Sequence, residues 1–146
     1  MKRKILFFSI AVLFASCAFK RNADNKIATA QRFVKYINMN DDKAAYALLD
    51  SDLYNFKWKF IVKSDINRAH DLFEKYGTPS QRKWEILYDT LRGIRKLENI
   101  IIPIHKGYDE SNHLEEAYIR LGFDYTGKYL PDTVIAEYEL YTNYNN

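Results

Sequence analysis

The feature that most constrains the fold is the C-terminal third of the chain, where three long segments have strand-like patterns. The first segment, 95–105, is rich in isoleucine, and Pro103 within it predicts an edge or a bulge because proline cannot donate to a strand ladder. The other two segments, 114–125 and 133–142, each place an apolar row opposite a mixed row. Such alternation is typical of an antiparallel sheet that is covered on one side.

Two helical patterns come early in the chain. Apolar residues recur at helical spacing over 26–38 and again over 42–50, and Asn40 or Asp41 is placed to cap the second helix. The stretch 54–63 follows, in which aromatic residues alternate with lysines, and this alternation predicts a strand.

Two further helices are predicted before the three C-terminal strands. One begins at Ser64 or Asp65 and ends at Gly77, which takes the left-handed position after a helix. The sequence TPSQ, beginning at Thr78, reads as a capping box that restarts a helix. The apolar stripe of this last helix consists of Trp84, Leu87, Tyr88 and Leu91. The predicted fold class is α+β, with N-terminal helices packed on a curved antiparallel sheet.

The N-terminal segment predicts where the protein is located. Basic residues at 2–4 precede an apolar run from Ile5 to Phe14 and two small residues, which is the layout of a secretory signal peptide. Even when it is counted from Ile5 to Phe19, the apolar stretch spans as a helix about 22 Å, which is short of the roughly 30 Å hydrocarbon core of a bilayer. We therefore expect a signal peptide over 1–16 rather than a membrane span.

The end of that segment, Phe14-Ala15-Ser16-Cys17, resembles the lipobox of bacterial lipoproteins, although Phe14 stands where leucine is commoner. The resemblance implies cleavage between Ser16 and Cys17, the only cysteine of the chain, and a diacylglyceryl thioether on Cys17. It usually also implies an acylated, for example palmitoylated, amino terminus, and two or more acyl chains give a stable anchor. The implied location is the cell envelope, at the outer membrane and facing the periplasm. An ordinary signal peptide with a free cysteine nearby is the alternative.

Removal of the signal peptide changes the charge of the chain. The full sequence has 22 Lys and Arg against 19 Asp and Glu, and three of the basic residues lie in 1–16, which leaves 19 against 19. A balanced charge removes the case for a nucleic-acid partner. The remaining organisation is the lipidated cysteine with a short tether, 17–25, and a single domain, 26–146.

The stretch ATAQRFVKYINMNDDKAAYALLDSDLY, 28–54, resembles the opening of nuclear-transport-factor-2-like (cystatin-like) domains. The resemblance implies a cone-shaped α+β domain with a cavity between helices and sheet, which is an enzyme site in some relatives. The chain departs from this pattern at its end, where YTNYNN replaces a final tryptophan-bearing strand. An open sheet edge would favour pairing with a partner, although Pro103 could instead block that edge.

The histidines are the first candidates for chemistry. His70 lies on a predicted helix beside its apolar stripe, where a surface or boundary histidine is the usual finding. His105 and His113 bracket Asp109 and Glu110, a set of residue types that can hold a divalent metal, but a polar hairpin loop explains the same residues. We predict no metal site and no cofactor.

Polar residues of the last two strands are the second candidates. An acid paired with a tyrosine would suit proton transfer, whereas Arg–Glu pairs across a solvated sheet face are the commoner finding. The residues are Tyr118, Arg120, Asp124, Glu137 and Glu139.

No catalytic residue is predicted, because the chain has neither a nucleophile motif nor a glycine-rich phosphate loop. The leading expectation is a lipid-anchored binding module of the cell envelope that holds a protein or a small apolar ligand. The alternatives are an immunity or accessory protein of an envelope complex, and a small cavity enzyme.

Overall fold

A computed structural model describes residues 24–51, 56–91, 95–110, 112–126 and 128–143. The predicted signal peptide and the lipobox with its Cys17 lie outside these residues. Among the described residues, no helix combines the length and the apolar composition that crossing a bilayer requires.

Within the described residues, three α-helices precede four strands. Helix α1 includes residues 24–38, α2 is Asp42–Tyr46 and α3 is Phe56–Tyr76, and a 3-10 turn at Gln81–Lys83 leads into the sheet. The strands are β1 (Glu85–Leu91), β2 (Arg95–Tyr108), β3 (Leu114–Asp124) and β4 (Glu137–Asn143). They form one antiparallel sheet in the order β1-β2-β3-β4, which is not closed. The predicted α+β fold is confirmed.

The first two helices form where the sequence predicts them. In α1 the side chains of Phe33 and Ile37 are fully buried, as expected for a stripe at helical spacing. Asp41 caps α2, since its carboxylate accepts a hydrogen bond of 3.0 Å from the backbone N–H of Ala44. The second helix is shorter than the predicted 42–50, because the chain turns after Tyr46 and Leu49 forms a bridge with the segment before β4.

The strand predicted at 54–63 is wrong over the residues that the structure describes, because α3 runs without a break from Phe56 to Tyr76. Val62 is buried while Phe60 is 65% exposed, so the two lie on different sides of one helix instead of on one face of a strand. The expected helix start at Ser64 or Asp65 therefore falls inside α3. The predicted end is confirmed, because Gly77 has a φ of 89° and its N–H donates to the carbonyl of Phe73.

The helix predicted after Thr78 is also wrong, since only the 3-10 turn is helical and Glu85–Leu91 pairs with β2. The side chains of the expected capping box contact α1 instead of their own turn. The Thr78 hydroxyl donates to the Asn38 side chain, and the Gln81 amide oxygen accepts from Gln31. A short apolar run such as EILYDTL fits either structure, and strand pairing decides it.

Pro103 lies at a bulge in the inner strand β2, which confirms one of the two predicted alternatives. The register of β2 against β3 shifts between Pro103 and His105. Ile104 packs against the core and His105 stacks on Tyr76 of α3, so both residues at the bulge turn to the helix side.

The core lies between the helices and one face of the sheet. Its strand residues come from β2, β3 and β4, and within the described chain none comes from β1. The fully buried members with the largest side chains include Phe33, Ile37, Ile102, Ile119, Leu121 and Phe123. Along each strand, the residues that alternate with the core residues point to the opposite face of the sheet, which is here called the outer face.

Candidate functional site: the open edge of the sheet

Strand β1 forms one edge of the sheet and is exposed on both of its faces. Ile86 and Tyr88 point to the helix side of the sheet, as do their partner residues on β2. Ile86 is 41% exposed and Tyr88 is 63% exposed. Leu87 points to the outer face and is 51% exposed. Three consecutive large apolar side chains are thus exposed on a strand that has a neighbour on one side only in the described sheet.

This exposure follows from the position of the helices. The core cluster covers β2, β3 and β4, so β1 projects beyond it. On the helix side, Tyr88 contacts Tyr125 edge to face, with ring centroids 5.6 Å apart. An edge strand offers unpaired backbone N–H and C=O groups, and most proteins protect such a strand with charges, proline or a covering loop. In β1 the charged residues Glu85 and Asp89 are exposed as well, but the three exposed positions between them carry Ile, Leu and Tyr.

Proline does not block this edge. Pro103 lies in β2, where its register partner is Tyr118 of β3. The alternative in which Pro103 protects an open edge is therefore wrong for β1. The sheet is not closed, but the open edge was predicted at the missing last strand, beside β4, and the exposed edge at β1 was not predicted.

A groove of about 340 Å³ begins beside β1 on the outer face. Its apolar floor includes Leu87, Ile101 and Pro103, with Glu85 at the β1 end and Tyr118 towards β3. Its volume is at the lower end of the range for small-molecule sites, about 300–1,000 Å³. The groove is thus suited to one or two side chains.

The polar residues predicted on the last two strands meet on this outer face, with one exception. The Arg120 guanidinium lies 2.8 Å from a carboxylate oxygen of Glu139 and 3.6 Å from one of Glu137. Tyr118 stacks on Tyr141, with centroids 4.7 Å apart. Burial raises the pKa of Tyr118, and the Glu139 carboxylate raises it further, so the phenol stays protonated at neutral pH.

Asp124 is the exception, because it holds the loop after β3. Its carboxylate accepts hydrogen bonds from the backbone N–H groups of Thr126, Tyr129 and Leu130 and from the Thr126 hydroxyl. Burial alone would raise the pKa of Asp124, but these donors outweigh it and hold the pKa below its usual value. Asp124 is therefore a structural group.

The histidines are dispersed. His105 stacks on Tyr76 at 4.0 Å on the helix side, whereas His113 lies 3.3 Å from Asp109 in the loop between β2 and β3. The Nδ1 atom of His70 is 2.9 Å from the carbonyl oxygen of Ile37, which fits a boundary histidine. Among the described residues, no group of three or more His, Cys, Asp or Glu side chains is placed to hold a metal ion.

A cluster of polar side chains between the helices and the sheet was not predicted from the sequence. Arg68 donates to Thr142 of β4 at 2.9 Å and lies 3.5 Å from Asp65, whose pKa is raised by burial despite the guanidinium. Burial raises the pKa of Tyr138 well above its usual range. Burial, together with the Asp42 carboxylate, raises the pKa of Tyr46 to about 12. The alternation of β4 placed Tyr138 in its apolar row, but nothing in the sequence brought α3 beside it.

Comparison with known proteins finds no matching family model, no matching curated protein and no matching solved structure. The resemblance to nuclear-transport-factor-2-like domains therefore stays a prediction.

Proposed function

We propose that this protein is a lipid-anchored lipoprotein of the cell envelope that binds an extended segment of another envelope protein by strand addition at β1. The observation that carries the binding function is the exposure of Ile86, Leu87 and Tyr88 on an edge strand. The anchor rests on the lipobox-like residues that end at Cys17.

The chemistry of β1 supports a strand as the partner. The backbone groups along its free edge match those of another extended chain, which gives affinity without a deep pocket. An added strand would also cover apolar side chains on both faces, and full burial of one Leu or Ile side chain is worth about 1.5–3 kcal/mol. A compact ligand would cover only one face of the edge.

The binding function is tested by photo-crosslinking in intact cells. A photoreactive amino acid at Tyr88 is expected to give a covalent adduct that maps by mass spectrometry to one segment of one envelope protein. The same adduct should be lost in Ile86→Lys, because a charge that points inward from an edge strand prevents strand addition.

Met39 provides the matched control, since it is 60% exposed and directly follows α1, outside the four strands. The same photoreactive residue placed at Met39 should not give this adduct. The substitution Met39→Lys should leave the Tyr88 adduct unchanged. Equal adducts from both positions, or an adduct that persists in Ile86→Lys, would contradict strand addition at β1.

The anchor is tested separately by intact mass. Protein from the membrane fraction should have the mass of residues 17–146 plus acyl chains, and Cys17→Ser should remain unprocessed. A soluble, unlipidated species with a free thiol would contradict the anchor and leave the binding function to the crosslinking test.

A further inference from the structure

We propose that the segment added to β1 carries a lysine or arginine whose side chain lies in the outer-face groove, with its charge at Glu85. The inference rests on the proposed strand addition and specifies the partner as an extended peptide with a basic residue opposite Glu85. Three features of the groove support it.

The first feature is charge. Lys106 and Glu116, which both line the groove, are 3.3 Å apart and compensate each other. Glu85 is an exposed carboxylate, and it has no ion pair among the described residues. The groove therefore has an excess negative charge at the β1 end, where an added strand would lie.

The second feature is the apolar floor. Leu87, Ile101 and Pro103 offer a surface for the methylene stem of a long side chain, while the cationic head remains near solvent. Tyr118 lines the groove as well, and an aromatic ring attracts a nearby cation. A short polar side chain would leave this floor uncovered, and an acidic one would meet Glu85 with the same charge.

The third feature is reach. Neighbouring strands lie about 4.8 Å apart, so a residue of the added strand would stand one spacing from β1 and two from β2. Side chains of directly opposite residues point to the same face. A lysine or arginine opposite Glu85 would thus project over the outer face and extend towards Ile101, the register partner of Glu85 on β2.

A displayed peptide library tests this inference on the lipid-free domain that follows Cys17. Each peptide has nine residues with valine or threonine at one set of alternate positions and all amino acids at the other set. Selection on the wild-type domain should enrich lysine or arginine at one of the randomised positions. For an enriched peptide, Glu85→Gln should weaken binding about two- to fivefold, as for a partly exposed ion pair.

Charge reversal and an edge-blocking variant separate the two proposals. Glu85→Lys should enrich aspartate or glutamate at the same position, whereas Ile86→Lys should bind none of the peptides and Met39→Lys should select as the wild type does. Two outcomes would overturn the assignment of the groove while strand addition still stands: enrichment without a charge preference, or a charge preference that Glu85→Lys does not reverse. Absence of enrichment on the wild-type domain, or equal enrichment on Ile86→Lys, overturns both.

Discussion

At the scale of single residues, Lys26 is a charged residue that is buried in the interior. Its ammonium lies 2.8 Å from a carboxylate oxygen of Glu98 and 3.8 Å from one of Asp132, and the Lys26 side chain is 3% exposed. Glu98 points to the helix side of β2, so this pair joins α1 to the strand beside β1. Loss of one partner of a buried pair costs much more than loss of both, because the remaining charge stays buried without compensation.

The first prediction concerns this pair. Lys26→Met should lower the free energy of unfolding by about 3–5 kcal/mol, and the double variant Lys26→Met/Glu98→Leu should recover most of the loss. Urea unfolding measures both, and Lys35→Met, which changes an exposed lysine of α1, is the control. Equal effects of the single and double variants would contradict the role of the pair.

The second prediction concerns Asp124 and pH. Because its pKa is lowered in the folded state, its stabilising contribution is complete above the unfolded value of about 3.9 and is lost as the pH falls through the folded pKa. Asp124→Asn should therefore cost about 1–3 kcal/mol at pH 7 and progressively less below about pH 4.

Unfolding of Asp124→Asn and the wild type at pH 7 and at pH 3 measures this change. Asp71→Asn, at an exposed position of α3, should have little effect at either pH. A cost for Asp124→Asn that does not change with pH would contradict the hydrogen-bonded carboxylate.

At the scale of elements, α3 and β1 are where the sequence and the structure differ. Both carry short runs that fit two periodicities: 54–63 alternates like a strand, and TPSQ followed by EILYDTL begins like a capped helix. In each case the structure is decided by partners outside the run itself, which are the core for Val62 and the next strand along the chain, β2, for Glu85–Leu91. Local pattern does not contain that information.

The elements that were predicted have signals of their own. Each of these signals comes from a local backbone feature: Asp41 caps α2, Gly77 ends α3 in the left-handed conformation, and Pro103 lies at a bulge. The cause of each feature lies within a few residues of the signal. The open edge was predicted at the missing last strand, at the other end of the sheet, whereas the edge at β1 depends on a strand that the sequence suggested was helical.

The third prediction distinguishes the two descriptions of α3. Ser64→Pro places a proline in the interior of the observed helix and should cost about 3 kcal/mol or more, whereas a helix that began at Ser64 would tolerate it. Urea unfolding and far-ultraviolet circular dichroism measure the loss.

Ser80→Pro is the matched control for this substitution. Ser80 precedes the 3-10 turn with a φ of −75°, which proline adopts readily, so little loss of stability is expected. Tolerance of proline at both positions would contradict a continuous α3.

At the scale of the whole molecule, an α+β domain places its helices over three strands and leaves the fourth exposed on both faces. A predicted lipid at Cys17 would keep this domain near the membrane, because the stretch between Cys17 and α1 is only a few residues long. Such confinement increases the effective concentration of partners that are themselves held at the membrane.

Hydrogen exchange of the lipid-free domain, with and without a peptide enriched on it, tests the central claim most directly. We predict that the amides of Glu85–Leu91 that face away from β2 exchange in the free domain and become protected when the peptide is bound, while the amides of α3 are unchanged. In Ile86→Lys the same peptide should give no protection. Protection that appears elsewhere, or that leaves Glu85–Leu91 unaffected, would contradict an open edge that a partner strand covers.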